Sequence, residues 1–281
     1  MNPLSTPTVT FARAIKSWVQ TNPALTQMLR RWYYQWLLRD TGHNFVRQEI
    51  NGRVWKLAPR FALHANLYEP QVGQWLQDWL RPGDVFWDVG ANVGLIAIAA
   101  ATLVQPAGHV LAIEPAPGNL RDLQRHVELN NVAETVRIIR AAVCDRHGGN
   151  VSLSLLGEDG NSCSNSLMFS GTTVAASPKT SQSMDVPAIS LDGLWQERGQ
   201  VPTVIKIDVE GAEWLVLQGA TTLLQQKNAP ILILAVHPFW LAHPDEVVAI
   251  QTHLEALGYS LQDGQGHRPE RLGYGEYSRF G

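Results

Sequence analysis

Between residues 85 and 94 the chain reads Val-Phe-Trp-Asp-Val-Gly-Ala-Asn-Val-Gly and then runs directly into an apolar stretch that ends at Val104. A short buried strand, a tight turn and an apolar helix have to follow one another here. Gly90 and Gly94 allow the backbone to bend and a ligand to come close, and Asn92 is the non-glycine residue best suited to left-handed angles, so it can stand in for a middle glycine. The alternation then continues. The pattern predicts a helix over Gly94 to Leu103, a strand over His109 to Ile113, a helix over Asn119 to Leu129 and a strand over Val136 to Val143. Such a β-α-β-α-β series implies a parallel sheet covered by helices on both faces, a doubly wound, Rossmann-like α/β fold.

After Asp145 the rhythm breaks into a Ser/Thr/Gly-rich stretch, Gly148 to Ser183, read as an inserted loop or hairpin beside the site. It resumes with a strand at Val186 to Ile189 and a short helix near Leu191 to Arg198. A strand at Val204 to Asp208, a helix at Ala212 to Leu224, a strand at Ile231 to Val236, a helix at Glu246 to Leu257 and a strand at Tyr259 to Gln262 complete the series. Upstream, Pro70 to Leu80 reads as a helix closed by Arg81-Pro82-Gly83. Asn51-Gly52 between Phe45 to Ile50 and Arg53 to Leu57 signals a β-hairpin. The expected division is an N-terminal extension over 1–67 and a main domain over 68–281, with the insertion at about 148–190.

Residues 1–44 carry no acid before Asp40 but contain Arg13, Lys16, Arg30, Arg31 and Arg39. Two helices are expected there, Thr10 to Gln20 and Ala24 to Arg39. The second holds Trp32, Tyr33, Tyr34 and Trp36 and needs a surface to cover it: its own domain, a second copy of the chain or a membrane surface. The whole chain has 45% hydrophobic and 17% charged residues and a net charge of −3, which argues for a sizeable core and against a dedicated nucleic-acid binder. Cys144 and Cys163 have no metal-ligand spacing, and the apolar stretch Val93 to Val104 falls short of the roughly 20 residues of a membrane span. A reduced, cytoplasmic protein is expected.

The chemistry gathers at strand ends. Asp88 opens the glycine turn. It would repel a pyrophosphate but can accept hydrogen bonds from an α-ammonium, which favours S-adenosylmethionine over NAD. Gly90, Ala91, Asn92 and Gly94 form the turn. Glu114, 20 residues beyond Gly94, is placed with Pro115 at the end of the next strand to take ribose hydroxyls. At the third strand's end, Ala142 and Asp145 would face the adenine. The fourth ends in Asp208-Val209-Glu210-Gly211-Ala212-Glu213, where Asp208 and Glu210 would face cofactor or acceptor and orient or deprotonate a hydroxyl; Glu213 reads as a first-turn acid favoured by its helix dipole. His237, at the end of the fifth strand, is a general-base candidate. Asp208, Glu210 and His237 could also hold Mg or Mn, although no residue is assigned to a metal from spacing alone.

These elements resemble the FkbM family of methyltransferases. The likeness rests on Phe86 to Gly94, Ile113-Glu114-Pro115, Ser190-Leu191-Asp192, the block from Ile205 to Glu213, and Val216 to Ala220, with Ser164-Asn165-Ser166-Leu167 inside the insertion. It covers roughly Tyr68 to Tyr259. The resemblance implies a seven-stranded class I methyltransferase sheet whose last strand is antiparallel, S-adenosylmethionine as donor with S-adenosylhomocysteine as product, and O-methylation of a sugar, glycan or secondary metabolite. One departure stands out: where the family commonly has an acid before the His-Pro pair, this chain has Ala235-Val236. The competing expectations are N-methylation of a small molecule, an NAD-dependent oxidoreductase, and a catalytically silent adenosyl-binding protein docked to a partner or membrane through its N-terminus.

Overall fold

In the computed structural model, which describes residues 45–58, 68–155, 166–167 and 182–279, the strand-helix alternation closes into a seven-stranded sheet. The described residues belong to two compact units. One holds residues 46–49 of the hairpin strand β1 (Val46–Ile50) and all of β2 (Arg53–Leu57); the turn residues Asn51 and Gly52, grouped with the other unit, both stand at positive φ as a two-residue hairpin turn requires. The other is the α/β domain. The two expected helices of residues 1–44, and Cys163, lie outside the described residues.

The α/β domain opens with α1 (Pro70–Trp79), whose Val72, Trp75 and Leu76 are buried on one face. Then come β3 (Val85–Val89), α2 (Leu95–Val104), β4 (His109–Ile113), α3 (Pro117–Leu129) and β5 (Val136–Ile139). After the insertion follow α4 (Leu191–Arg198), β10 (Val204–Ile207), α5 (Glu213–Gln218), α6 (Thr221–Leu224), β11 (Ile231–Val236), α7 (Glu246–Ala256), β12 (Leu261–Gln262) and β13 (Gly275–Arg279). The sheet order is β12-β13-β11-β10-β3-β4-β5. Strands β11, β10, β3, β4 and β5 are parallel neighbours, and β13 runs antiparallel to β11 and β12. The doubly wound fold and its antiparallel last strand are as expected. Successive strands move one way from β3 and the other way from β10, so a crevice opens between those two, where ligands bind in such sheets.

The central strands are buried on both faces, which is why they read as nearly unbroken apolar runs. Trp87, Ile113, Ile205, Ile207, Leu217 and Leu234 are almost wholly out of water, each contributing roughly 1.5–3 kcal/mol of burial. α2 is apolar nearly all round because it packs against the sheet and against α1 and α3.

Three expected elements come out differently. The strand expected over Val136 to Val143 divides: β5 ends at Ile139, and β6 (Ala142–Val143) turns into a second sheet of order β6-β9-β7-β8 with β7 (Asn150–Leu155), β8 (Ser166–Leu167) and β9 (Gln182–Ile189). That sheet is the inserted hairpin, β7 pairing antiparallel with β9. The helix expected over Ala212 to Leu224 also divides. The Gly219 carbonyl accepts from Asp192 N instead of continuing the helix, and the Asp192 carboxylate takes the Thr222 and Leu223 amides at the start of α6. A Cβ on Gly219 would collide with the Cys144 carbonyl, so only glycine fits this crossing. Finally, Tyr259 belongs to no strand. It is a buried plug whose hydroxyl donates to the Pro230 carbonyl at 3.0 Å, and β12 begins at Leu261.

Gly94 caps α2 at φ 86°, and a Cβ there would run into the Leu123 side chain of α3. Gly94→Ala therefore combines backbone strain with overpacking and should lower stability by about 2–4 kcal/mol. Urea unfolding of the two proteins measures this; a loss under about 0.5 kcal/mol would show that α3 yields freely at Leu123.

Candidate active site

A cavity of about 790 Å³ opens at the carboxyl ends of β3, β4, β10 and β11, in the range of ligand pockets. Its floor is the glycine turn. The Gly90 and Ala91 amides both donate to the Ile113 carbonyl at 3.0 Å, tying the turn to β4. Gly90 and Asn92 sit at φ 83° and 51°. A Cβ on Gly90 would meet the Asp208 carbonyl, so this glycine is what lets β3 and β10 end side by side. Glu114 is buried and fixed by three donors: Asn92 N at 2.9 Å, Ala116 N at 2.9 Å and Asn119 Nδ2 at 3.2 Å. A carboxylate offers about four acceptor positions, so one remains, on the Oε2 side that takes only Asn92. Burial raises the Glu114 pKa, and these bonds counter it.

Asp88 is 0% exposed and neither of its oxygens has a hydrogen-bond partner. Burial pushes its carboxyl up to about 7, against the pull of Lys206. Lys206, next to Asp88 in the β3–β10 register, is itself 3% exposed. Its ammonium lies 2.7 Å from Asp208 Oδ2 and 3.4 Å from Glu69 Oε2. Burial works against the lysine's charge, but Asp208, Glu69 and Asp88 outweigh it and raise its pKa. Burial likewise opposes ionisation of Asp208, yet Lys206 outweighs it and holds that pKa low.

The opposite wall is an imidazole among acids. His237 Nδ1 lies 2.7 Å from Glu213 Oε1, and that oxygen also accepts from Gly211 N at 3.1 Å. Nε2 then faces Asp208 Oδ1 at 3.7 Å and Glu210 Oε2 at 3.9 Å. Burial disfavours the imidazolium, but Glu213, Glu210 and Asp208 more than compensate and raise the His237 pKa. Burial raises that of Glu210. Glu210 stands at φ 52°, a strained position for a non-glycine residue. Tyr274 packs edge-on against His237 with ring centroids 5.6 Å apart. Glu276 stands opposite Ala235 in the β11–β13 pairing and lines the cavity; burial and Glu69 push its carboxyl to about 7.

Asp88, Gly90, Ala91, Asn92, Glu114, Pro115, Ala142, Asp208, Glu210 and His237 thus line one cavity, as the sequence placed them. Gly94 and Asp145 do not. Gly94 serves helix packing, and the half-exposed Asp145 carboxylate is turned to the Arg146 guanidinium at 3.6 Å. Glu213, read as a helix-dipole acid, is 0% exposed and holds the histidine. Sequence reasoning did not single out Lys206, Tyr68, Glu69, Tyr274 or Glu276. A lysine inside the apolar run Val204 to Ile207 was a signal for the first; the others reach the cavity through packing of distant segments. The carboxylate missing before His237 has a counterpart in Glu276, on the neighbouring strand.

Residues 88–261, more than half of the chain, match the methyltransferase FkbM domain. The chain belongs to this family. Among relatives, the hexuronic acid methyltransferase AglP of Haloferax volcanii is 32% identical over 175 residues, 60% of this chain and 62% of that protein. The 31-O-demethyl-FK506 methyltransferase FkbM of Streptomyces tacrolimicus is 30% identical over 163 residues, 50% of this chain and 60% of that one. The chain therefore covers less than two thirds of either relative's own length. A solved structure of a methyltransferase FkbM from Methylobacillus flagellatus is 15% identical with a TM-score of 0.46, covering 74% of this chain and 50% of that one. The donor of this family is S-adenosylmethionine. The residues fit it: the buried Asp88 carboxyl has no hydrogen-bond partner of its own, and Glu114 has an acceptor position left for a hydroxyl. Among the described residues no helix is long and apolar enough to cross a membrane.

Asp88 gives a pH signature. In the unfolded chain it ionises near its ordinary value of 3.8, and in the folded chain only near 7. The folded state then binds the extra proton between these values, so stability falls as pH rises through that window, by about 4 kcal/mol in all. Asp88→Asn removes this loss. The melting temperature of the variant relative to the unaltered protein should climb from pH 5 to pH 8; a difference that stays constant would show that Asp88 ionises without penalty.

Proposed function

We infer that the protein transfers a methyl group from S-adenosylmethionine to a hydroxyl oxygen of a sugar, glycan or secondary metabolite. The observation that carries this reading is the meeting, in one cavity, of the glycine turn with Asp88 and Glu114 on one side and the Asp208, Glu210 and His237 group on the other. The names of the two relatives, a hexuronic acid methyltransferase and a 31-O-demethyl-FK506 methyltransferase, support an oxygen acceptor.

In this reading Glu114, oriented by its three donors, accepts from ribose hydroxyls, and the Asp88 carboxylate takes the α-ammonium group. The Gly90 to Asn92 backbone lies along the bound molecule. When bound, S-adenosylmethionine supplies a methyl carbon made electrophilic by its positively charged sulfur. Asp208, Glu210 and His237 orient the acceptor hydroxyl in line with that carbon, and its proton passes to one of these groups as the new oxygen–carbon bond forms and the sulfur–carbon bond breaks. Tyr274 packs edge-on against His237 at the side of this chamber. Positioning of this kind supplies most of the rate in a displacement between two bound reactants.

Calorimetric titration with S-adenosylmethionine, S-adenosylhomocysteine and NAD checks the donor: the first two should bind and NAD should not, and NAD binding alone would overturn the reading. His237→Ala should reduce methyl transfer to a hydroxyl acceptor by about 100-fold or more while changing S-adenosylhomocysteine affinity less than about threefold. Undiminished transfer by the variant would remove His237 from the acceptor side.

A further inference from the structure

We propose that Asp208, Glu210 and His237 form a binding site for one divalent metal ion of the Mn²⁺ type, with Glu213 and Lys206 fixing two of its ligands from behind. The proposal depends on the methyltransferase reading for what the ion does, and not for its binding. Three ligand atoms, one from each residue, lie within 4.8 Å of one another. Atoms bound about 2.1 Å from a common ion stand roughly 3–4.2 Å apart in an octahedron, so the separations of 3.7 and 3.9 Å from His237 Nε2 to the two carboxylates already fall in that range. Closing the remaining spread takes side-chain shifts of about half an ångström.

What separates this group from an ordinary acid cluster is the histidine. His237 is 8% exposed, and its Nε2 has no hydrogen-bond partner among the described residues, yet it points between two carboxylate oxygens. Its other nitrogen is held at 2.7 Å by the wholly buried Glu213. A carboxylate on the far nitrogen fixes the ring's orientation, so that an ion displacing the Nε2 proton meets a lone pair already aimed at it, the arrangement found behind metal-bound histidines. Asp208 is braced in the same way: Lys206 occupies Oδ2 at 2.7 Å, and Oδ1 faces the histidine. Two carboxylates supply the hard oxygen donors that a divalent ion of this kind takes. The donor set has hard oxygens, one imidazole and no sulfur, since Cys144 is outside the group, which suits Mn²⁺ or Mg²⁺ over thiolate-seeking metals. Three protein ligands leave coordination positions for oxygen. An acceptor hydroxyl there would lose its proton more readily, the Lewis-acid role that metal ions play toward bound oxygen.

Titrating MnCl₂ into the full chain and following free Mn²⁺ by electron paramagnetic resonance, with and without S-adenosylhomocysteine, tests the site. One bound ion per chain is expected, its affinity lowered at least tenfold by His237→Ala and by Glu210→Gln, and about 10- to 100-fold by Glu213→Gln. Glu210 is partly exposed and its substitution leaves the core intact, so a failure of His237→Ala to fold does not obscure the result. Mn²⁺ remaining free at millimolar concentration over a chain that binds S-adenosylhomocysteine would overturn the site and leave the methyl-transfer reading standing. Binding unchanged in the Glu210 and Glu213 variants would overturn it too. A chain that takes up Mn²⁺ at these residues but binds no S-adenosylhomocysteine would keep the site and sink the methyl-transfer reading.

Discussion

A buried ammonium group organises the reaction end of this sheet. Lys206 lies in the third position of a strand whose other residues are wholly apolar and inaccessible, so its charge has to be met inside the protein. Asp208, two residues on and therefore on the same face, meets it, and Glu69 reaches it from the N-terminus of α1. This pairing decides which oxygen of Asp208 is engaged and which looks across to His237. It also keeps Asp208 ionised in a setting that leaves the neighbouring Asp88 half-protonated near neutrality. A buried pair of this kind adds little net stability, and removing either partner strands the other. Its value lies in fixing the direction of a carboxylate.

The second constraint is steric. β3 and β10 can end side by side only because Gly90 leaves room for the Asp208 carbonyl, so the glycine turn and the Asp208 carboxylate are set relative to each other by one contact. From β4, Ile113 ties the turn down through its carbonyl, and Glu114 clasps the Asn92 amide beyond. The two halves of the cavity are thus rigidly referred to each other by backbone packing. A displacement reaction, which depends on alignment over a few tenths of an ångström, has use for such rigidity.

Much of this was legible in the chain. Residues 85–94 announced a strand, a turn and a helix because the glycines and Asn92 are demanded by positive φ angles, and the central parallel strands appeared as nearly unbroken apolar runs because both of their faces are covered. Asp88, Glu114, Asp208, Glu210 and His237 were visible because polar residues at the ends of buried strands have few structural reasons to be there. The rest depended on contacts between distant segments. Asp145 was misplaced because its strand leaves the main sheet at Ile139, and no local pattern records that exit. Glu213 looked like a helix-start acid until packing put it out of water beside a histidine 24 residues away. The role of Ser190-Leu191-Asp192 emerged only in three dimensions: Ser190 caps α4 while Asp192 caps α6, so one tripeptide starts two helices.

The antiparallel strand β13 makes the chain's final stretch part of the cavity wall. Tyr274, Glu276 and Tyr277 arrive there after every element that forms the turn and its clasp has been laid down. This wall of the cavity thus comes from a separate piece of sequence, joined to the rest through the edge of β11. Tyr277 is bound into the core beside the parallel strands, whereas Tyr274 and Glu276 line the chamber from outside it and are the positions through which its shape can change. On such a scaffold the chamber's shape is open to change at the last described strand, while the glycine turn and its clasp are held by the parallel strands.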